Sequence, residues 1–130
     1  MSCSALATVR VERREGVMAG VTNEEHKKLA LQAAHYAEMV LTLFTQERPD
    51  DSRPKAAIEA ARNWAAGELS VADARKAAFA AHAAARECST PAATAASRSA
   101  GHAAATAHVW THAAVAEAYM KKAMTLNAGS

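Results

Sequence analysis

The histidines of this chain have the spacing closest to that of a binding site. His108 and His112 are four residues apart, so on one helix face their imidazoles could share a metal ion. His102 precedes His112 by ten residues, about 15 Å along a straight helix, which is too far for a common site. A zinc site would therefore need ligands from other helices, and the candidates are His82, Glu87 and Cys88.

Two interpretations of these histidines stay open. In the first, His102 and His112 lie on an apolar helical seam with Val109 and Tyr119, as hydrogen-bonded core or boundary residues. In the second, four histidines surround a pocket for a small ligand, a metal or an enzymatic reaction: His82, His102, His108 and His112. We favour the first and expect no bound metal, because Val109 follows His108 where an HExxH motif has a glutamate. Convergence of His82 with His102 or His112 around a cavity would favour the second.

Two charged groups are candidates for contact with a partner protein. Asp50, Asp51 and Arg53 form a charged corner, although acids before a helix also complement its dipole and Arg53 could pair with them locally. The second group is the stripe of Arg75, Phe79 and Arg86, which lies with His82 along one side of a later predicted helix.

Motifs of the common enzyme classes are missing. The chain has no Gly-rich phosphate loop, no GxSxG elbow and no CxxC pair. Its formal charge is +2 and basic residues are dispersed among acids, whereas nucleic-acid binding needs a concentrated basic face. Cys3 and Cys88 predict neither a metal site nor a disulfide framework. We expect a protein that is not an enzyme, needs no cofactor and does not bind nucleic acid.

The elements that must position these side chains are helices. Alanine makes up 37 of the 130 residues and only six residues are aromatic. Alanine is the best helix former, and it loses almost no side-chain entropy on ordering. Each alanine buries little surface, so the helices must approach closely to stabilise the fold. The composition predicts an all-α fold, a compact alanine-rich bundle of four to five helices.

Capping residues mark where the predicted helices begin. Thr22, Ser52, Ser70 and Thr90 each stand at an N-cap position. They predict helices near 22–47, 53–66, 70–87 and 91–125. The third has a seam of small residues suited to close packing against a neighbour: Ala74, Ala77, Ala81, Ala84 and Cys88.

The last predicted helix is too long for a domain of this size. A straight helix over residues 91–125 would extend roughly 50 Å. We therefore expect it to break, either beside Gly101 or between His108 and Trp110.

The chain has the length of one domain. Residues 1–20 lack helical periodicity and are interpreted as a disordered N-terminal extension, residues 21–126 as a single helical domain and residues 127–130 as a tail. No apolar run approaches the roughly 20 residues of a membrane-spanning helix, and the start lacks the apolar core of a signal peptide. We expect a cytoplasmic protein without membrane contact.

Four groups of residues, in a fixed order and spacing, point to a known family. They are Arg53-Pro54 with Ala57-Ile58, Arg62-x-Trp64 with Gly67-Glu68, the run from Ala81 to Arg86, and Gly101-His102 with His108 and His112. Over roughly Leu29 to Met124 the chain resembles the bacterial Imm-5-like family of immunity proteins. The resemblance implies a small helical domain that binds a partner toxin or effector and neutralises it by covering it. It identifies neither the toxin nor the oligomeric state.

Overall fold

The computed structural model describes residues 20–129, and every regular element in that range is a helix. The helices are α1 (Asn23–Met39), α2 (Leu41–Thr45), α3 (Arg53–Ala65), α4 (Val71–Arg86), α5 (Pro91–Ala105) and α6 (His112–Ala128). The predicted all-α fold is confirmed. The predicted number of four to five helices is too low, since residues 20–129 form six. The extension predicted over residues 1–20 lies outside the described residues, apart from Gly20.

The additional helix arises from an interruption of the helical backbone at Val40. The sequence predicts one helix over residues 22–47, but Val40 adopts φ −116° and ψ 6°, and α2 begins at the next residue. Val40 is 1% exposed and packs in the same apolar cluster as Phe44, which is fully buried. The interruption at this β-branched residue thus accompanies the burial of both side chains.

Predicted caps begin three of the longer helices. The Thr22 hydroxyl accepts from the Glu25 N–H at 3.1 Å, and the Glu25 carboxylate accepts from the Thr22 N–H at 2.9 Å, which completes a capping box. The hydroxyls of Ser70 and Thr90 accept a backbone N–H in the first turns of α4 and α5. These bonds satisfy N–H groups that have no partner within the helix.

The expected break in the last predicted helix lies at residues 106–111, and Gly101 is inside α5. The Thr106 N–H is shared between the carbonyls of His102 and Ala103, and the Thr106 hydroxyl donates to the His102 carbonyl at 3.0 Å. Such bonds tighten the last turn and end the helix. His26 Nε2 of α1 lies 2.6 Å from the Thr106 carbonyl and donates to it. The turn is therefore fixed to α1, and α6 packs along α5.

Helix α5 is the centre of the bundle and contacts all five other helices. Its buried Ser97 hydroxyl donates to the Ala81 carbonyl of α4, and its buried Ser99 hydroxyl donates to the Ala116 carbonyl of α6, both at 2.7 Å. Hydroxyl groups reach a neighbouring helix backbone only where the helices are close. The predicted small seam of α4 supplies this closeness, because Ala74, Ala81 and Ala84 are fully buried.

The C-terminal end of the domain differs slightly from the prediction. Helix α6 continues to Ala128, so the segment predicted as a tail, residues 127–130, begins within the helix.

None of the helices between residues 20 and 129 combines the length and apolarity that crossing a bilayer requires.

Candidate functional site

Helices α4, α5 and α6 bring three of the predicted histidines together. The ring centroids of His82 and His102 are 4.8 Å apart, edge to face, and those of His102 and His112 are 5.1 Å apart. Tyr119 stacks on His102 at 5.4 Å with the ring planes 9° apart. We call these four residues, together with Arg98, the histidine cluster. It joins one side chain of α4, two of α5 and two of α6.

Hydrogen bonds define which ring nitrogens carry protons in the histidine cluster. Arg98 Nη1 lies 2.9 Å from His82 Nδ1. A guanidinium group only donates, so His82 Nδ1 accepts and the proton of this neutral ring is on Nε2. The Nδ1 atoms of His102 and His112 face each other at 3.0 Å, so one donates and the other accepts. At least one of these two rings is therefore also neutral.

The surroundings of the three histidines favour their neutral forms. Burial lowers the pKa of His82 from its ordinary value of 6.5 to about 4, and the positive charges of Arg98 and Arg86 add to this effect. Burial likewise lowers the pKa of His102 to about 4, with further contributions from His82 and His112. Burial also lowers the pKa of His112. At neutral pH the positive charge of the histidine cluster therefore comes from Arg98 alone.

The absence of a side chain at Gly101 leaves room for the His82 imidazole to pack against α5. A Cβ atom on Gly101 would lie 2.7 Å from both Cε1 and Nε2 of His82. Real Cβ atoms essentially never approach other heavy atoms so closely, so any larger residue at position 101 requires the imidazole to move. Gly101 has no positive φ, so close packing accounts for the glycine here.

His108 is not part of the histidine cluster. It is exposed in the turn at residues 106–111, so the predicted pair of His108 and His112 on one helix face is wrong. The physical reason is that α6 begins only at His112. Among residues 20–129, no three His, Cys, Asp or Glu side chains are placed to hold a metal ion together.

The sequence predicts His82, His102 and His112 as candidate ligand-site residues, but not Arg98. A signal was present, because Arg98 is four residues before His102 and therefore on the same face of α5. Tyr119 lies seven residues after His112, which is two helical turns, so the helical period predicts both on one side of α6. Convergence with His82 depends on how α4 packs on α5, which no spacing within one helix indicates.

A groove opens beside the histidine cluster, between the start of α5 and the middle of α6. Its lining includes Thr94, Arg98, Tyr119 and Lys122. The Lys122 ammonium lies 5.8 Å from the centre of the Tyr119 ring. The histidine rings themselves form no part of this lining. The groove therefore presents two cations and one aromatic ring.

The predicted charged corner is mostly satisfied within the chain. Arg53 Nη2 lies 2.7 Å from the carboxylate of Asp51 and 2.7 Å from that of Glu87, and Arg48 also pairs with both acids. Hydrogen bonds from Arg53 hold the pKa of Asp51 well below its usual range. Asp51 also accepts from the Arg53 N–H, whereas the predicted cap Ser52 makes no side-chain capping bond. Asp50 is exposed. The corner thus links the loop before α3 to the end of α4.

The predicted stripe on α4 is exposed. Arg75, Phe79 and Arg86 all face solvent, and Phe79 is 62% exposed. The Arg75 guanidinium lies 5.8 Å from the centre of the Phe79 ring, a cation–π arrangement. His82 lies between Phe79 and Arg86 on the same side of the helix but is half-buried in the histidine cluster. The stripe therefore adjoins the histidine cluster.

Comparison with known proteins identifies a family. The model of the family described as Imm-5 like putative immunity protein matches residues 20–130. The match covers the whole described range, including the histidine cluster and the exposed stripe. Among curated proteins and solved structures, no match to this chain is found.

Proposed function

We propose that this chain, which belongs to the Imm-5-like putative immunity protein family, binds a partner toxin or effector in a stoichiometric complex and neutralises it without catalysis. The family supports an immunity role in general. We propose in addition that the chain binds a toxin, that binding neutralises this toxin, and that a particular surface makes the contact.

The observation that supports a binding surface is the exposure of Phe79 on the outer side of α4. Covering a phenylalanine that is already partly buried contributes about 1–2 kcal/mol. The guanidinium of Arg75 holds a charge over the ring, and arginine and aromatic residues are enriched among the residues that dominate binding energy. We therefore place the contact on the stripe of Arg75, Phe79 and Arg86.

The charged corner is a weaker candidate for the same role. Asp51 and Arg53 already have partners within the chain, so a toxin would have to replace these ion pairs. Breaking such pairs costs energy that a new contact must first recover. Asp50, which is exposed, is the one member of the corner that we keep as a peripheral contact.

The experiment pairs the protein with the product of the gene beside its own. Wild-type protein is expected to relieve the toxicity of that product, with complete inhibition at a molar ratio of one to one. Phe79→Ala is expected to weaken binding at least about tenfold in calorimetric titration, which corresponds to 1.4 kcal/mol. Leu31→Ala is the matched control, because Leu31 is also an exposed apolar side chain, 47% exposed, but lies on α1 away from the stripe.

Two results would contradict this proposal. Complete inhibition at far less than one equivalent would indicate a catalytic antidote. Equal protection by Phe79→Ala, Arg75→Ala and wild type would remove the stripe from the interface.

A second function, binding of a small ligand at the histidine cluster, is supported by the convergence of His82 and His102 at 4.8 Å, whereas the neighbouring groove is not lined by the histidine rings. Under this function, small molecules from a cell extract would remain with the wild-type protein through gel filtration and be lost in His102→Gln. Native mass spectrometry distinguishes the two functions, because a stoichiometric toxin complex needs no such ligand.

A further inference from the structure

The arginines between residues 20 and 129 divide into two groups. Arg48, Arg53 and Arg62 each form an ion pair with a carboxylate of this chain. The other three, Arg75, Arg86 and Arg98, have no carboxylate within ion-pair distance among the described residues. The paired group lies on the α2–α3 loop and α3, whereas the unpaired group lies on α4 and α5.

The unpaired arginines are connected through the histidine cluster. Arg98 binds His82, which lies one turn before Arg86 on α4, and the charge of Arg86 acts on His82. Beyond Arg98, the groove continues to Tyr119 and Lys122 on α6. We call this surface, which runs from Phe79 across Arg98 to Lys122, the cationic face.

The groove in the cationic face contains no acidic residue in its lining. Glu47 approaches one end, where its carboxylate accepts from the N–H groups of Ser89 and Thr90 and from the Thr90 hydroxyl. Neither Arg98 nor Lys122 forms an ion pair with Glu47 or with another carboxylate among residues 20–129, so both cations are available to an external ligand. An incoming carboxylate would meet two cations and an aromatic wall, and charge-assisted bonds of this kind are among the strongest in proteins.

We propose that the cationic face binds aspartate and glutamate side chains of the partner protein, one of which enters the groove and pairs with Arg98 and Lys122. This inference rests on the proposed function, and it assigns to the partner an acidic contact surface. Phe79 packs at the edge of that contact, and His82 accepts a hydrogen bond from Arg98 and so orients it without adding charge.

A protein partner fits the cationic face better than a nucleic acid. The exposed Phe79 is part of this face, and its cations without a carboxylate partner among residues 20–129 are four: Arg75, Arg86, Arg98 and Lys122. Nucleic-acid interfaces usually present a longer, denser basic surface. The charges here are instead few and combined with Phe79 and Tyr119, and arginine and aromatic residues are enriched in protein interfaces.

The first test uses the intact protein and needs no identified toxin. Arginine Nε–Hε and tyrosine ring signals are followed by NMR during titration with an octaglutamate peptide, an octaserine peptide and a thymidine octamer. Octaglutamate is expected to shift Arg98 and Tyr119, with a response that falls as salt increases. The octaserine peptide is expected to shift neither.

Matched variants make this test specific. Arg98→Gln and Lys122→Gln should each reduce the octaglutamate response at Tyr119. Arg62→Gln changes the net charge equally but lies on α3, where Arg62 pairs with Glu38, and should leave the response unchanged. No shift at Arg98, an equal response at Arg53, or tighter binding of the thymidine octamer would overturn the inference.

The second test uses the toxin from the proposed-function experiment. Arg98→Gln should weaken the complex about tenfold or more, equivalent to 1.4 kcal/mol, and should reduce its salt dependence. If wild-type protein binds the toxin and both Arg98→Gln and Lys122→Gln bind equally well, the inference fails while the proposed function stands. If octaglutamate binds as expected but the toxin does not, the proposed function fails and the acid-binding face stands.

Discussion

Gly101→Ala is the substitution in which sequence rules and the structure predict opposite results. Gly101 is buried inside α5, where replacing glycine by alanine normally stabilises a helix by about 0.8–1.0 kcal/mol. Here the added Cβ would lie 2.7 Å from two atoms of the His82 ring. The imidazole must rotate or α4 must move away from α5.

The expected loss exceeds the helical gain. Overpacking typically costs about 1–3 kcal/mol, and the lower end applies here because the clash is with the end of a half-buried side chain rather than with backbone. Rotation of His82 would also break its bond with Arg98, and a hydrogen bond to a charged group contributes about 1.5–3 kcal/mol before discounting for partial exposure. The net expectation is a destabilisation of about 1–2 kcal/mol, or a melting temperature lower by roughly 4 °C for each kcal/mol.

A double-mutant cycle in urea provides the measurement. His82→Ala removes the ring, so adding Gly101→Ala in that background should stabilise the protein by about 1 kcal/mol, as in an ordinary helix. The effect of alanine at position 101 is therefore expected to change sign with His82. If Gly101→Ala stabilises the protein while His82 is present, the close packing of α4 on α5 at this point is wrong.

Three further predictions concern the histidine cluster and the core around it. Unfolded histidines bind protons near pH 6.5 but His82 and His102 only near pH 4, so the unfolded state binds more protons between these values. Stability should therefore fall as pH decreases from about 6.5 to about 4, by up to about 1.4 kcal/mol per pH unit for each histidine, and His102→Gln should flatten this slope. A slope unchanged by that variant would show that other groups cause it. Ala81→Leu should cost about 1–3 kcal/mol because Ala81 is fully buried, whereas Ala72→Leu at an exposed position of α4 should cost little; equal melting temperatures for the two would contradict the packing of α4. Elemental analysis after chelator-free purification should find no stoichiometric zinc, since Arg98 repels a cation at the histidine cluster; one equivalent of zinc, lost in His102→Gln, would refute this.

Local signals in the sequence were sufficient to locate most helices. The starts of α1, α4 and α5 follow from Thr22, Ser70 and Thr90, whose hydroxyls make the expected capping bonds. Capping depends on residues within one turn, so it can be recognised without knowledge of the tertiary structure. The small seam of α4 was predictable for the same reason, because the helical period alone places its alanines on one side.

Features that depend on packing between helices were not predictable in this way. The end of α1 at Val40 accompanies burial of Val40 and Phe44 in one cluster, which no local motif encodes. The distance along a straight helix predicts that His102 and His112 are too far apart to meet. The break at residues 106–111 instead lets α6 pack beside α5 and places their Nδ1 atoms 3.0 Å apart. The two predictions are inconsistent, because the distance of about 15 Å between His102 and His112 holds only for a helix without the predicted break.

The distribution of ion pairs separates the residues that hold the fold from those available to a partner. Arg48 and Arg53 join the loop before α3 to Glu87 at the end of α4, so their charges are used in connecting elements. Arg75 and Arg86 lie on the same α4, one on each side of the half-buried His82, and pair with no carboxylate among the described residues. Unpaired surface arginines contribute little to folding, since even paired ones contribute only about 0–1 kcal/mol. Their position beside an exposed phenylalanine therefore supports the proposed binding surface and adds little to the stability of the fold.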